Sequence, residues 1–155
     1  CLPETSEPSM LILESFQAGL SWECILNKRE NFKQAFDNFD VYKICNYNDE
    51  KIKKLLENKS IIRNKQKINA TINNSKIFIK IKNEYGTFYN YLKTFTNNKI
   101  IYETNKNTNL LSDKISKDLK KRGMKFVGST IIYSYLQAIG IIYSHDNECF
   151  MYKSK

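Results

Sequence analysis

Residues 8–26 of the chain read PSMLILESFQAGLSWECIL. The apolar side chains that follow the Pro-Ser pair show no alternation of period two, and such a pair is typical of a helix start, so a first helix is predicted as far as Ala18. Gly19 interrupts it, and Ser21 is a suitable N-cap for a second helix in which apolar residues recur every three or four positions. The stretch therefore predicts two helices that meet at Gly19.

Helical spacing continues along the rest of the chain. Further helices are predicted over 49–58, 64–83, 88–95, 112–119 and 129–138, with Asn48, Ser112 and Ser129 as N-caps. Within 64–83, the alternation of Ile77, Ile79 and Ile81 would equally suit a strand, and helix is the preferred prediction. The polar stretch 96–109 is predicted to be a loop. The fold class predicted is all-α, an irregular multi-helix bundle in a single domain.

The composition indicates a folded domain with a basic surface. The chain has 155 residues, of which 41% are hydrophobic and 13% aromatic, so it can build a core. No apolar run reaches the roughly 18 residues that cross a bilayer, and no membrane contact is expected. The net charge of +9 points to a polyanion such as nucleic acid. A biased nucleotide composition of the gene is the alternative explanation of so many Lys, Asn and Ile residues.

Residues suited to metal binding or nucleophilic catalysis are few. The four Cys residues are widely separated, which favours a reducing, intracellular compartment: the cytoplasm of a bacterium, or the nucleus or an organelle of a eukaryote. His145 stands four residues before Cys149, a spacing at which both can bind one zinc ion, although a structural zinc site normally has four ligands. A lone surface His is the alternative. With one His and scattered glycines, hydrolase triads and phosphate-binding loops are not indicated.

One acidic residue lies in an otherwise apolar helix. Glu14 is surrounded by the apolar residues of 10–16, eight positions before Trp22, the only Trp. A carboxylate in an apolar wall beside an indole suits a pocket for a flat, cationic or hydrogen-bonding ring. The alternative is a partly exposed Glu on the helix face.

Two basic segments are candidates for phosphate contact. Residues 58–68, NKSIIRNKQKI, join two predicted helices by a tight turn, so N–H groups, the helix dipole and basic side chains would point at one phosphate, as in helix-hairpin-helix modules. Residues 119–130, LKKRGMKFVGST, are basic and then abruptly apolar. For each segment, a solvated surface turn is the alternative.

Several segments match one known family in the same order. They are ESFQAGLSW at 14–22, KRENF at 28–32, AFDNFD at 35–40, IIRN at 61–64, the segment 119–128, and YSYLQA at 133–138 with His145 and Cys149. Together they resemble the 3-methyladenine DNA glycosylase I (Tag-type) family over nearly the whole chain. The resemblance implies a single helix-hairpin-helix glycosylase domain over 1–155. Such a domain would act as a monomer on alkylated double-stranded DNA, flip out N3-methyladenine and hydrolyse its glycosidic bond.

The resemblance also implies roles for individual residues. Glu14 matches the family's pocket carboxylate, the catalytic residue that hydrogen-bonds the flipped adenine, and Trp22 matches the indole that stacks on that base. Ser134 aligns near the abasic sugar and completes the base-binding set. Leu20 matches an apolar plug for the gap left in the duplex. The predicted DNA contacts are Ala18, Gly19, Leu20, Ser60, Arg63, Lys67 and Lys125.

The sequence departs from the family pattern in its N-terminal segment and at Ser15 and Ser60, each of which replaces a common Gly. The family's N-terminal segment, which supplies a Cys and a His to a four-ligand zinc site, is missing before Cys1, so a truncated start is expected and His145 and Cys149 match half of the site. Ser60 replaces a common hairpin Gly, which would be costly if the turn needs positive φ. The Asp that follows the hairpin in other helix-hairpin-helix glycosylases is absent here and in this family. Simple hydrolysis to an abasic site, without strand cleavage, is expected.

The leading hypothesis is therefore an alkylation-repair DNA glycosylase. The first alternative is a non-catalytic DNA-binding or alkylation-sensing module on the same scaffold. The second is a basic protein–protein adaptor, which would show no salt-dependent binding to DNA. Release of free base from methylated duplex separates the leading hypothesis from both alternatives.

Overall fold

The computed structural model describes residues 6–17, 22–61, 63–97, 99–104 and 106–144, without the side chains of 6–9, 17, 22–27 and 144. The sites predicted at Ala18, Gly19, Leu20, His145 and Cys149 lie outside the described residues. The side chain of Trp22 lies outside them as well.

Helices account for most of the described chain, which confirms the all-α prediction. The α-helices are α1 Ser6–Gln17, α2 Trp22–Ala35, α3 Val41–Ile44, α4 Asp49–Glu57, α5 Lys65–Tyr85, α6 Phe88–Thr96, α7 Leu110–Lys121 and α8 Ser129–Ala138. A 3₁₀ turn, Asp37–Phe39, follows α2, and two short strands are β1 Ile101–Glu103 and β2 Ile142–Ser144. Among the described helices, none combines the length and the apolar character needed to cross a bilayer.

Two hydrophobic clusters form the core, and three helices, α1, α3 and α5, contribute to both. The first cluster packs α6, α7 and α8 against the C-terminal half of α5, where Ile81 is fully buried. The second packs α2 and the following turns against the N-terminal half of α5, where Ile68 is fully buried. α1 contributes Leu11 to the first cluster and Leu13 and Phe16 to the second. The short helix α3 likewise contributes Val41 to the first and Ile44 to the second, so α1, α3 and α5 join the two clusters.

The central helix α5 resolves the ambiguity of the isoleucine alternation. Ile77 and Ile81, one helical turn apart, are 7% and 0% exposed, whereas Ile79 is half-buried at the edge of the same cluster. This is the burial expected of one helix face rather than of a strand. The helix ends where Gly86 adopts a φ of +88°, a conformation that glycine accepts without strain.

The prediction of an unstructured loop over 96–109 is wrong in part. Ile101–Glu103 forms β1, which pairs in parallel with β2 so that Ile101 lies opposite Ile142. The carboxylate of Glu103 accepts hydrogen bonds from Asn109 Nδ2 at 2.8 Å and from the Tyr133 hydroxyl at 3.1 Å. Glu103 thus links β1 to α7 and α8. Because these two helices lie between β1 and β2 in the sequence, no local sequence pattern predicts the pairing of the strands.

Two predicted helix caps are also wrong, whereas the Asn48 cap of α4 is confirmed. The N-cap of α7 is Asn109, and Ser112 is the third helical residue of a reciprocal capping box. The N-cap of α8 is Gly128. The hydroxyl of Ser129 instead lies 2.7 Å from that of Ser112 and 2.5 Å from Asp113 Oδ1, so it ties α8 to α7.

Candidate base pocket and nucleic-acid interface

Glu14 is the one charged side chain that is buried in the described part of the chain, with 2% of its surface exposed. The alternative of a partly exposed Glu is therefore wrong. Its helix neighbours Leu13 and Phe16 are buried too, at 2% and 0%. Burial removes water from the carboxylate and raises the pKa of Glu14 to about 7. A carboxyl group with this pKa changes charge near neutral pH and favours a cationic or hydrogen-bonding partner.

An aromatic cluster fixes the position of α1 against α2. The ring of Phe16 lies 5.0 Å from that of Phe32 and 6.1 Å from that of Phe36, centroid to centroid, and all three side chains are fully buried. Because Phe16 is two positions beyond Glu14, this cluster holds the helix that carries the carboxylate.

Trp22 is the first residue of α2, the helix that packs against α1. The elements that carry Glu14 and Trp22 are thus neighbours. Since the indole lies outside the described side chains, its stacking against a base stays a prediction. Ser134 is half-buried on α8, which also packs against α1. Its position near a sugar likewise stays a prediction.

The basic turn 58–64 connects α4 to α5, as predicted. Asn58 Oδ1 accepts hydrogen bonds from the Ser60 backbone N–H at 2.9 Å and from its hydroxyl at 2.5 Å. Ser60 does not adopt a positive φ. The serine that stands where the family commonly has Gly is therefore not strained in this turn. Arg63 is exposed, while Lys67 is half-buried in the first turn of α5 and burial lowers its pKa. The turn thus places two cations at a helix N-terminus, where a phosphate is favoured.

The second basic segment divides into a structural part and an exposed part. The guanidinium of Arg122 donates to Asp118 Oδ2 at 2.9 Å and to Glu84 Oε2 at 3.0 Å, and therefore ties α7 to α5. Lys125, three residues later, is exposed. Of these two residues, Lys125 is the one available for phosphate contact.

A pair of asparagines fixes the loop that carries Lys125. Asn74 Nδ2 donates to the Lys125 carbonyl at 2.8 Å, and its Oδ1 accepts from the Lys125 N–H at 2.9 Å. Asn73 Nδ2 donates to the Gly123 carbonyl at 2.8 Å. Sequence analysis missed both residues. Two adjacent Asn residues inside a long helix, where Asn is unfavourable, were the available signal.

The same loop also contacts α1. The Ser15 hydroxyl lies 3.0 Å from the Leu11 carbonyl and 3.3 Å from that of Phe126. The ring of Phe126 lies 5.9 Å from Lys67 Nζ. The structure thus brings together three segments that are distant in sequence: the helix of Glu14, the start of α5 and the loop of Lys125.

A small cavity lies between α1 and α5. Its volume is about 20 Å³, and it is lined by Leu11, Ile12, Ser15, Val41, Thr71, Asn74, Ser75, Phe78 and Met124. This volume accommodates about one water molecule, so the cavity is not a base pocket, and Glu14 does not line it. Within the described residues no cluster of His, Cys, Asp or Glu could hold a metal ion.

Comparison with known proteins gives consistent results. Residues 6–152 match the sequence model of the methyladenine glycosylase family. The DNA-3-methyladenine glycosylase 1 of Escherichia coli (strain K12) is 37% identical over 97% of this chain and 86% of its own length. The DNA-3-methyladenine glycosylase of Haemophilus influenzae is 33% identical over 90% of this chain and 78% of its own.

Solved structures show the same similarity. A crystal structure of 3-methyladenine DNA glycosylase I has a TM-score of 0.84 and 35% identity, covering 90% of this chain and 80% of the other. The enzyme from Staphylococcus aureus, solved to show how it recognises 3-methyladenine, has a TM-score of 0.86 and 30% identity, covering 92% and 79%.

Proposed function

The chain belongs to the methyladenine glycosylase family, and from this membership we propose that it is a DNA repair glycosylase that recognises 3-methyladenine. The single observation that carries the proposal is Glu14, a carboxyl group buried in a helix that joins both hydrophobic clusters. An unpaired buried charge destabilises a fold, and among the described residues no side chain or backbone group forms a hydrogen bond or ion pair with the carboxylate of Glu14. Such a carboxyl group favours a cationic or hydrogen-bonding ligand.

A flipped, alkylated adenine is such a partner. Methylation at N3 gives the nucleoside a positive charge and weakens its glycosidic bond, so the enzyme mainly needs to extrude the base, hold it and exclude neutral adenine. The carboxylate of Glu14 would accept a hydrogen bond from the base and stabilise its charge. A neutral adenine gains less from this contact, which provides the discrimination.

The reaction is a hydrolysis of the bond between the base and C1′ of the sugar. As this bond breaks, its electron pair stays with the base and neutralises the positive charge. Water adds its oxygen to C1′ and loses a proton, so that the products are free 3-methyladenine and an abasic site. Because the leaving group is already cationic, no Lys nucleophile is needed.

The basic surface would hold the DNA backbone. Ser60, Arg63 and Lys67 lie at the turn between α4 and α5, which would act as a helix-hairpin-helix phosphate clamp. Lys125 adds a third cation, on the loop that contacts Lys67 through Phe126. We propose double-stranded DNA as the substrate and a monomer as the acting form.

Zinc is part of the proposal as a structural ion bound by His145 and Cys149. An imidazole and a thiolate are suitable zinc donors, and a structural zinc ion normally has four ligands, so further ligands are required. Metal analysis of the purified chain and of His145→Ala tests this: about one zinc per chain, lost in the variant, is the expected result.

The proposal is tested by incubating the chain with methylated duplex DNA and measuring released bases by chromatography and mass spectrometry. We expect 3-methyladenine from the wild type. Glu14→Gln should slow its release on the order of 10- to 100-fold, because a hydrogen bond to a charged group is weakened to a neutral one. Affinity for undamaged duplex should change little, since a buried side chain does not contact the backbone of an intact duplex.

Two outcomes would contradict the proposal. If the wild type binds duplex DNA but releases no base, the chain is a non-catalytic DNA-binding module. If Glu14→Gln releases 3-methyladenine at the wild-type rate, the carboxylate has no role in recognition. A single-stranded methylated substrate run in parallel tests the preference for duplex.

A further inference from the structure

Phe126 has an unusual backbone conformation for an aromatic residue. Its φ is +58°, in the left-handed region, where bulky side chains are strained. Its side chain is 37% exposed, so burial of the ring does not fully account for the conformation. Strained residues of this kind are concentrated at functional sites, where surrounding contacts hold them in place.

The contacts that hold Phe126 come from both sides of its loop. Asn74 binds both the N–H and the carbonyl of the preceding residue, Lys125. The Ser15 hydroxyl reaches the carbonyl of Phe126 itself at 3.3 Å. Immediately after it, Val127 is fully buried, and its carbonyl accepts a hydrogen bond from the Ser116 hydroxyl at 2.7 Å. The backbone is thus anchored on either side of an exposed ring.

The position of the ring relates it to the proposed site. Lys67 Nζ lies 5.9 Å from the ring centroid, within the range of a cation–π contact. Ser15, which contacts the loop, directly follows Glu14 in α1. Phe126 therefore contacts the cation at the start of α5 through its ring, and the helix that carries the buried carboxylate through its backbone carbonyl.

We propose that Phe126 is a DNA-contact residue that packs against a nucleotide next to the flipped base, while Lys67 neutralises the phosphate of that nucleotide. This inference rests on the proposed function and adds to it a contact that distinguishes deformed from intact duplex DNA. Aromatic rings pack on bases without regard to sequence, and a neighbouring ammonium supplies the charge that the backbone requires. Such a contact needs an unstacked nucleotide. It therefore forms only in complexes with DNA in which a base is flipped out or missing.

The experiment compares two duplexes, one intact and one with a tetrahydrofuran abasic analogue. Phe126→Leu keeps an apolar side chain but removes the aromatic face, and Phe126→Tyr keeps that face. We expect Phe126→Leu to bind the abasic duplex about tenfold more weakly than the wild type and the intact duplex within about twofold. Phe126→Tyr should bind both duplexes as the wild type does.

Salt dependence separates the ring from the cation. Lys67→Ala should weaken binding to both duplexes and reduce the slope of log K against log salt by about one. Phe126→Leu should leave that slope unchanged. Lys80→Ala, an exposed Lys farther along α5, is the matched control and should bind as the wild type does.

A third variant guards against effects on folding. Phe126→Gly removes the ring and relieves the positive φ, and it should bind the abasic duplex as weakly as Phe126→Leu while retaining the wild-type circular dichroism spectrum. Asn97→Gly is its control, because Asn97 also has a left-handed φ, of +54°, but lies at the end of α6. This control should not alter binding.

The possible results distinguish the inference from the proposed function. Wild-type affinity for the abasic duplex in both Phe126→Leu and Phe126→Gly would overturn the inference and leave the proposed function intact, provided the wild type releases 3-methyladenine. A wild type that neither releases the base nor prefers the abasic duplex would overturn both. A reduced salt slope in Phe126→Leu would also contradict the inference, since it would indicate a lost phosphate contact.

Discussion

At the residue scale, Glu14 combines a destabilising environment with a chemical use. A carboxylate with 2% exposure lacks most of its hydration, so the folded protein favours the neutral acid. A cationic base would reverse this preference by pairing with the charged form. The same side chain is thus expected to lower stability in the free protein and to strengthen binding in the complex.

Glu14→Gln should therefore stabilise the DNA-free protein at alkaline pH. Burial raises the pKa of Glu14 from 4.5 to about 7, so the stability that goes with the neutral carboxyl is complete below about pH 4.5 and is lost as pH rises through about 7. Above that pH the variant should exceed the wild type by roughly 3 kcal/mol in free energy of unfolding. Urea denaturation at pH 5 and pH 8 measures the difference.

The control for this comparison is Glu57→Gln, an exposed residue at the end of α4. This variant should change the free energy of unfolding little at either pH. An advantage of Glu14→Gln that is equal at pH 5 and pH 8 would contradict the raised pKa. It would mean that shape or hydrogen bonding, rather than charge, determines the effect.

At the element scale, two neighbouring side chains of α5, Asn73 and Asn74, hold the loop 123–128 by hydrogen bonds to its backbone. Asn74 is 9% exposed and forms two hydrogen bonds to one residue, whereas Asn73 forms one to the loop. Asn74→Ala would leave the N–H and carbonyl of Lys125 without these partners. The loop then loses the contact that fixes Phe126 beside Lys67.

Asn74→Ala should lower the free energy of unfolding by about 2–3 kcal/mol, and Asn73→Ala by about 1 kcal/mol, in proportion to the hydrogen bonds lost and their burial. Chemical denaturation measures both values. Asn74→Ala should also weaken binding to the abasic duplex, whereas Asn73→Ala should bind nearly as the wild type does. If the two variants lose the same free energy of unfolding, the two hydrogen bonds from Asn74 to Lys125 stabilise the fold no more than the single bond from Asn73 does.

The elements also show which features the sequence allows one to predict. The helices follow from apolar spacing and from local caps such as Asn48, which depend on neighbouring residues. The β1–β2 pair and the Asn74 contacts join segments distant in the chain, so no local pattern specifies them. The apolar neighbours of Glu14 made it a candidate pocket residue but left an exposed position on the helix face open, because the elements that cover α1 are distant in the sequence. The conformation of Phe126 had no signal in the sequence.

At the scale of the whole molecule, the two hydrophobic clusters share α1, α5 and the short helix α3. A helix that contributes buried side chains to both clusters cannot leave one without exposing apolar surface in the other. The proposed site depends on the same arrangement, because Glu14 lies in α1 and Lys67 in α5. Stability and geometry of the site are therefore expected to change together.

This sharing predicts that the molecule unfolds in one transition. Leu136→Ala, in the first cluster, and Phe36→Ala, in the second, each remove a fully buried side chain and should each lower stability by about 3–4 kcal/mol. Trp22, the only Trp, reports on α2 by fluorescence, while far-ultraviolet circular dichroism reports on all helices. In both variants the two thermal transitions should coincide and shift together. If Leu136→Ala lowers the dichroism midpoint but leaves the fluorescence midpoint at the wild-type temperature, the clusters unfold independently and α1 does not couple them.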